Sequence, residues 1–407
     1  MGSVLPDEVL SRILHELHAV APGQVASLAV VLPTHVRQAT LARPVFTSSH
    51  GVQQYLTRVH SGDSDIVERA RVITIRRGSR RALPAAGKGR RAKGEPVEDA
   101  VTPEDLVRLA HTLKRLVELR LVAPAFDSLR RRQVDFAANL PHLRSLSIVG
   151  RAGGSSRGFN LHTVGQILQN APNVVDLALR HVNSYRGALG DLAPPSCRLS
   201  SFALFDTPSI TSDQLSWLLQ ASIDVDSLRT IAFDLSPDVH PSHLAAVKWA
   251  ATPVNRLAVT SSRPEAVEGI AQHFPSLRQF AFRCSSTVDP HRLLASCASC
   301  GSIEVVEDRS LGPADDSASA DGGAEPLVWA EALVLARRRR LAGLAGLRRL
   351  VLGSHRRAEP GFAVLEEVCR AHGVQLETHE MERGAKSPPF IPIDFAALHS
   401  LHLDSCA

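Results

Sequence analysis

A short pattern, Leu-x-x-Leu-x-Leu, recurs along this chain and restricts its possible folds more than any other feature. With apolar substitutions it stands at Leu116/Leu119/Leu121, Leu143/Leu146/Ile148, Val174/Leu177/Leu179 and Leu199/Phe202/Leu204. It continues at Leu228/Ile231/Phe233, Val254/Leu257/Val259 and Leu277/Phe280/Phe282, with later copies starting at Leu347 and Leu398. Weaker copies start near Ala70, Cys300 and Gly373, and from position 116 to position 300 the intervals are 27, 31, 25, 29, 26, 23 and 23 residues. The last two apolar residues of each copy are two apart, the period of a strand with one buried face. Between copies the period changes to that of a helix: Ser212 to Ala221 places Leu215, Leu218 and Leu219 on one side. Ser242 to Ala250, Pro264 to His273 and Pro290 to Cys297 read likewise. Thr211-x-x-Gln214 and Ser262-x-x-Glu265 have the form of capping boxes, and Asp289-Pro290 sets a cap before a first-turn proline.

One strand and one helix per unit of about 26 residues cannot bury their own apolar sides, whereas stacked units can. An ordinary α/β domain of alternating strands and helices is the alternative. The recurrence resembles the leucine-rich repeat family, in its longer, helix-containing class, from about Ile66 to the C-terminus. Leu398-x-x-Leu401-x-Leu403-x-x-Cys406 matches that family's cysteine-type consensus. The resemblance implies an α/β horseshoe solenoid, with a parallel sheet on the concave face and helices on the convex face.

The N-terminal residues read differently. Leu5-Pro6-Asp7-Glu8 opens a helix with proline and two acids in the first turn, where the helix dipole favours them. Leu10, Ile13, Leu14 and Leu17 then form an apolar stripe, followed by a helix-like run from Val25 to Leu32, the segment Ala42 to Phe46, and an amphipathic stretch from Val52 to Val59. This order resembles an F-box, the helical module by which substrate receptors dock on the Skp-type adaptor of cullin ubiquitin ligases. The resemblance implies that Leu5, Pro6, Val9, Leu10, Ile13 and Leu28 carry docking. At Leu32 to Val36 the family's aromatic is absent. The alternative is a helical cap over the exposed edge of the first repeat. The expected division is residues 1–60 for this all-α segment and 61–407 for the repeat array.

Two segments interrupt the array. The net charge of +5 is local, because residues 76–93 hold eight basic side chains and no acid, and removing them leaves −3. A basic loop over 76–100 is expected, as a nuclear import signal, a polyanion contact or a solvated insertion. Residues 308–326 are acidic and nearly free of bulky apolar groups, which predicts a disordered insertion before a helix from Leu327 to Leu341.

Little points to bond chemistry. Cys297-x-x-Cys300 has half the spacing of a zinc site, but no further ligand pair follows, and structural cysteines are the favoured reading. His15-Glu16-x-His18 lacks the spacing of a metalloprotease helix. No phosphate-binding loop, nucleophile elbow or paired-carboxylate signature appears, so the expectation is a non-enzymatic protein without cofactor. The longest apolar run is far short of a membrane span, and the scattered cysteines suit a reducing compartment, cytosol or nucleus.

What remains is the concave face. By the repeat pattern its exposed positions are Glu118, Arg120, Asp176, Arg180, Phe205, Asp234, Arg256, Gln279, Arg283 and Glu304. Ala178, Ala203, Ala232, Ala258 and Ala281 fall between the paired apolar anchors, as a flat floor for a partner or as small residues suited to a crowded inner curve. Phe205, set among charges, is the expected anchor. The expected function is an F-box-like receptor binding an adaptor and a protein substrate. A repeat scaffold without ligase role and a nuclear factor contacting nucleic acid through the basic loop are the alternatives.

Overall fold

In the computed structural model the described residues are 43–61, 70–77, 99–124, 126, 129, 131–150, 159–183, 193–205, 207, 211–224, 226–235, 253–284, 286–310, 325–339 and 341–379. The chain divides into two units, Met1–Cys197 and Arg198–Ala407. The docking residues expected at Leu5, Pro6, Val9, Leu10, Ile13 and Leu28 lie outside the described residues, as do most of the basic loop, the insertion from 311 to 324 and the copy at Leu398.

In the first unit the strands are β1 (Val45–Phe46), β2 (Val72–Arg76), β3 (Glu118–Val122), β4 (Ser145–Val149) and β5 (Asp176–Arg180). Each pairs in parallel with the next in chain order, with Leu119, Leu146 and Leu177 directly across from one another. The helices are α1 (Ser49–His60), α2 (Pro103–Thr112), α3 (Arg131–Val134), which runs into a 3-10 turn at Asp135–Asn139, and α4 (Leu161–Asn170). Among the described residues the first strand of this ladder is β1 at Val45–Phe46. Val45 and Phe46 pair with Thr74 and Ile75, and α1 follows this strand directly. The amphipathic stretch from Val52 to Val59 is helical as expected, and it buries Val52, Tyr55 and Leu56.

In the second unit the strands are β6 (Ser201–Phe205), β7 (Thr230–Leu235), β8 (Arg256–Ser261), β9 (Gln279–Cys284), β10 (Val305–Asp308), β11 (Arg349–Gly353) and β12 (Gln375–His379). They too are parallel and in chain order. Helices α5 (Ser212–Asp224), α6 (Pro264–Ile270), α7 (Pro290–Cys297), α8 (Glu325–Arg338) and α9 (Phe362–Ala371) connect them, and α6 to α9 pack on one another in succession. Strand after strand, pairs such as Phe202/Leu204, Ile231/Phe233, Leu257/Val259 and Phe280/Phe282 are buried toward these helices. Each unit has leucine-rich-repeat architecture, in which neighbouring units supply the burial that one unit lacks.

Local chemistry matches most of the expected helix starts. Thr211 and Gln214 form the reciprocal box, with the Gln214 amide donating to Thr211 Oγ1 at 3.2 Å and the Thr211 amide to Gln214 Oε1 at 3.0 Å. Asp289 caps α7 by accepting from the His291 amide at 2.9 Å. The box at Ser262 and Glu265 does not form: α6 starts one residue later, with Arg263 at the cap, and Ser261 Oγ accepts the Arg263 amide instead. Thr102 and Asp105 make a box at α2 that the sequence reading did not single out.

The copy expected at Cys300 starts at Ile303. The register sets Val306 beside Phe280 and Asp308 beside Phe282, so a buried aspartate occupies the third apolar position of this repeat and conceals the pattern. Asp308 therefore belongs to β10 and not to an insertion.

Candidate protein-binding surface

A parallel sheet covered by helices on one side offers its other side to a partner. On this inner side the second unit carries three files of residues, one residue per strand, with strands about 4.8 Å apart. The first file is Ser201, Thr230, Arg256, Gln279, Val305, Arg349 and Gln375. The middle file is Ala203, Ala232, Ala258, Ala281, Glu307, Val351 and Glu377. The third places Asp234, Thr260 and Arg283 side by side.

The structure thus brings Asp234, Arg256, Gln279 and Arg283 together on β7 to β9 as the repeat pattern requires, and all four are half-buried. Burial lowers the Arg283 guanidinium pKa from its ordinary value, since removal from water disfavours the charged form. Arg120 and Arg180 belong to the first unit. Arg120 Nε meets Glu118 Oε1 at 2.5 Å on the same strand, two residues apart and so on the same face. Arg180 and Ala178, both half-buried, follow the buried Asp176 on the same side of β5.

Phe205 does not serve as an exposed anchor. It is 4% exposed, and every residue of β6 is buried. On the same side of the sheet Ser201, Ala203, Thr230, Ala232 and Ala258 are buried as well. The alanine file is buried on β6 to β8 and half-buried at Ala281.

Glu304 is displaced by the three-residue slip in β10. It stands just ahead of the strand and contacts Arg278 at 3.5 Å, while the inner positions of this repeat are Val305 and Glu307. Glu307 pairs with Arg309 at 3.0 Å, and Arg349 with Glu377 at 3.6 Å. These four inner-face residues were not singled out from sequence, although reading Ile303 in place of Cys300 as the leading apolar residue locates Glu307 and Arg309.

Cys297 and Cys300 are both buried free thiols. Cys300 Sγ donates to the Ala271 carbonyl at 3.3 Å, and burial pushes its pKa up to about 11. Both act as packing residues here. Among the described residues no group of three His, Cys, Asp or Glu side chains could hold a metal ion, and no helix is long and apolar enough to cross a membrane.

No family model matches the chain. No curated protein matches it either. Solved structures that resemble it include a chain of the yeast Rad7 and Elc1 complex, with a TM-score of 0.41 and 14% identity over 96% of this chain and 94% of that one. Another is the leucine-rich repeat-containing protein LegL7 from Legionella pneumophila, with a TM-score of 0.40 and 15% identity over 70% of this chain and 91% of that one.

Proposed function

We propose that this chain is a protein-binding scaffold, an F-box-like substrate receptor that presents a target protein to a cullin-type ubiquitin ligase through the inner face of its repeats. The observation that supports a binding role is the lateral alignment of Asp234, Arg256, Gln279 and Arg283 on three adjacent strands, half-buried and facing away from the helices. Such a surface is shaped by rigid strands, so side chains from different repeats reach one partner together without prior ordering cost. Catalysis by the assembly would be positional: the receptor holds a target near the transfer machinery and breaks no bond itself.

The adaptor part of this reading rests on the helical pattern around Leu10, together with its placement ahead of the repeats. Co-purification of a Skp-type adaptor with the wild-type chain, and its loss in Leu10→Asp with the repeats still folded by circular dichroism, is the expected result. If the wild type captures no adaptor, the scaffold reading without a ligase takes its place. Arg256→Glu with Arg283→Glu is expected to lose the target while adaptor capture persists, and retained target binding would move the site elsewhere.

A further inference from the structure

Next to the inner face, at the edge where the strands of the second unit start, runs a second file of side chains. The carbonyls of Arg229, Asn255, Arg278, Glu304 and Arg348 each accept backbone amides from the following repeat, at 2.7 to 3.1 Å. Asn255 and Arg256 donate to Arg229, Arg278 and Gln279 to Asn255, Glu304 and Val305 to Arg278, and Arg348 and Arg349 to Glu304. This shared ladder fixes one rim residue per strand from β7 to β11. Arg229, Arg278 and Arg348 on it are exposed.

The first inner file lies beside the rim and adds Arg256, Gln279 and Arg349. Over these five strands the two files contain five arginines and one acid, Glu304. Neutralisation is partial. Glu304 pairs with Arg278, and Arg349 reaches Glu377 in the middle file. Arg229 donates to the Asp226 carbonyl at 2.8 Å and makes no ion pair among the described residues. Arg256 and Arg348 have no ion pair among the described residues.

From this arrangement we infer that the rim is the docking track for an acidic, extended segment of the target protein, lying across the strands from β7 to β11. The inference rests on the receptor reading of the inner face and specifies the chemistry of what that face takes. Four strand spacings cover about 19 Å, the length of about six extended residues. Guanidinium forks match carboxylates in pairs, and the amides of Asn255 and Gln279 sit between them, suited to peptide groups. A nucleic acid fits less well. The two files hold no aromatic on which a base could stack, and Glu304 sits mid-track, where a continuous phosphate backbone would meet a like charge.

The test is fluorescence anisotropy with the full chain and three labelled probes: an Asp/Glu-rich peptide, its Asn/Gln analogue, and a single-stranded DNA of matched charge. The basic stretch at 76–93 also attracts anions, so the informative quantity is the difference between wild type and Arg256→Glu/Arg348→Glu. The wild type is expected to prefer the acidic peptide over its amide analogue, and the double variant, with unchanged melting temperature, to bind it about ten-fold more weakly. Unchanged affinity in the variant, no preference for the acidic peptide, or tighter DNA binding with the same dependence on Arg256 and Arg348 overturns the inference. Adaptor capture measured on the same preparations separates the two readings. Captured adaptor with a failed peptide result removes the acidic track alone, and the converse removes the ligase role alone.

Discussion

The Asp308 carboxylate lies 3.5 Å from the Arg356 guanidinium, with the two side chains 3% and 6% exposed. Asp308 stands where the neighbouring strand has Phe282, in the file that faces the helices. Its Oδ1 accepts the Ser310 amide at 2.8 Å, and Ser310 Oγ in turn accepts the Cys284 amide at 3.0 Å, so the polar position is tied to β9. Arg356 also reaches Glu359 at 3.5 Å. A buried charge is tolerated where partners of this kind surround it.

Removal of one partner therefore matters more than removal of both. Arg356→Leu is expected to cost about 3–5 kcal/mol, because it strands a buried carboxylate, whereas Asp308→Leu/Arg356→Leu should recover most of that loss. Urea unfolding midpoints measure both. A double variant as unstable as the single one would show that the pair is not coupled.

Phe205→Ala should cost about 3–5 kcal/mol as a buried ring removed from a packed layer. An exposed anchor would give a change within about 0.5 kcal/mol. Thermal melts of the purified variant distinguish the two outcomes.

The buried thiols make a pH prediction. Burial pushes Cys197 up to about 12, and Cys300 and Cys369 to about 11, from an ordinary 9.0. Cys297 is raised further by burial and by the neighbouring Cys300. A folded pKa above the unfolded one means that the neutral thiol is favoured by folding. The associated stability is complete below pH 9.0 and is lost as pH rises toward about 11 to 12. Iodoacetamide at pH 8 should leave these four positions unmodified by mass spectrometry until the protein is unfolded, and melting temperature should fall above pH 9. Rapid native alkylation of Cys297 or Cys300 would contradict their placement.

At the start of α2 the Asp105 carboxylate is buried and accepts from the Thr102 amide at 3.0 Å and from Ser49 Oγ at 2.6 Å. Thr102→Ala removes the bonds that Thr102 Oγ1 makes with the Asp105 amide and carboxylate and should cost about 1 kcal/mol. Asp105→Ala releases both α2 and the start of α1 and should cost more, by urea titration of the two variants. Equal losses would mean that the Ser49 contact contributes nothing.

Where repeats carry apolar residues at all three positions, the strands were legible: Leu119, Leu146 and Leu177 in the first unit, and Ile231, Leu257 and Phe280 in the second, stand on adjacent strands as their spacing required. Legibility failed where one side chain broke the pattern. Asp308 hid the true register of β10, and with it Glu307 and Arg309. Two-residue β1 is too short to show a period, so its pairing with β2 was invisible. Phe205 breaks the expectation because spacing along one strand gives the face a residue occupies and not its exposure there, and this ring is 4% exposed. Arg229, Arg278 and Arg348 form a file through the backbone ladder that aligns them, a property of stacking and not of any one repeat.

Chain-ordered stacking from β7 to β11 underlies both the inner face and the rim, and its most direct test is a distance. Spin labels placed at Arg229→Cys and Arg348→Cys, with Cys406→Ser and the buried thiols left in place, are separated by four strand spacings. Pulsed electron paramagnetic resonance should return a single narrow distribution centred at about 20 Å. A broad distribution, or one centred beyond about 30 Å, would contradict the parallel order from which the binding surface is built.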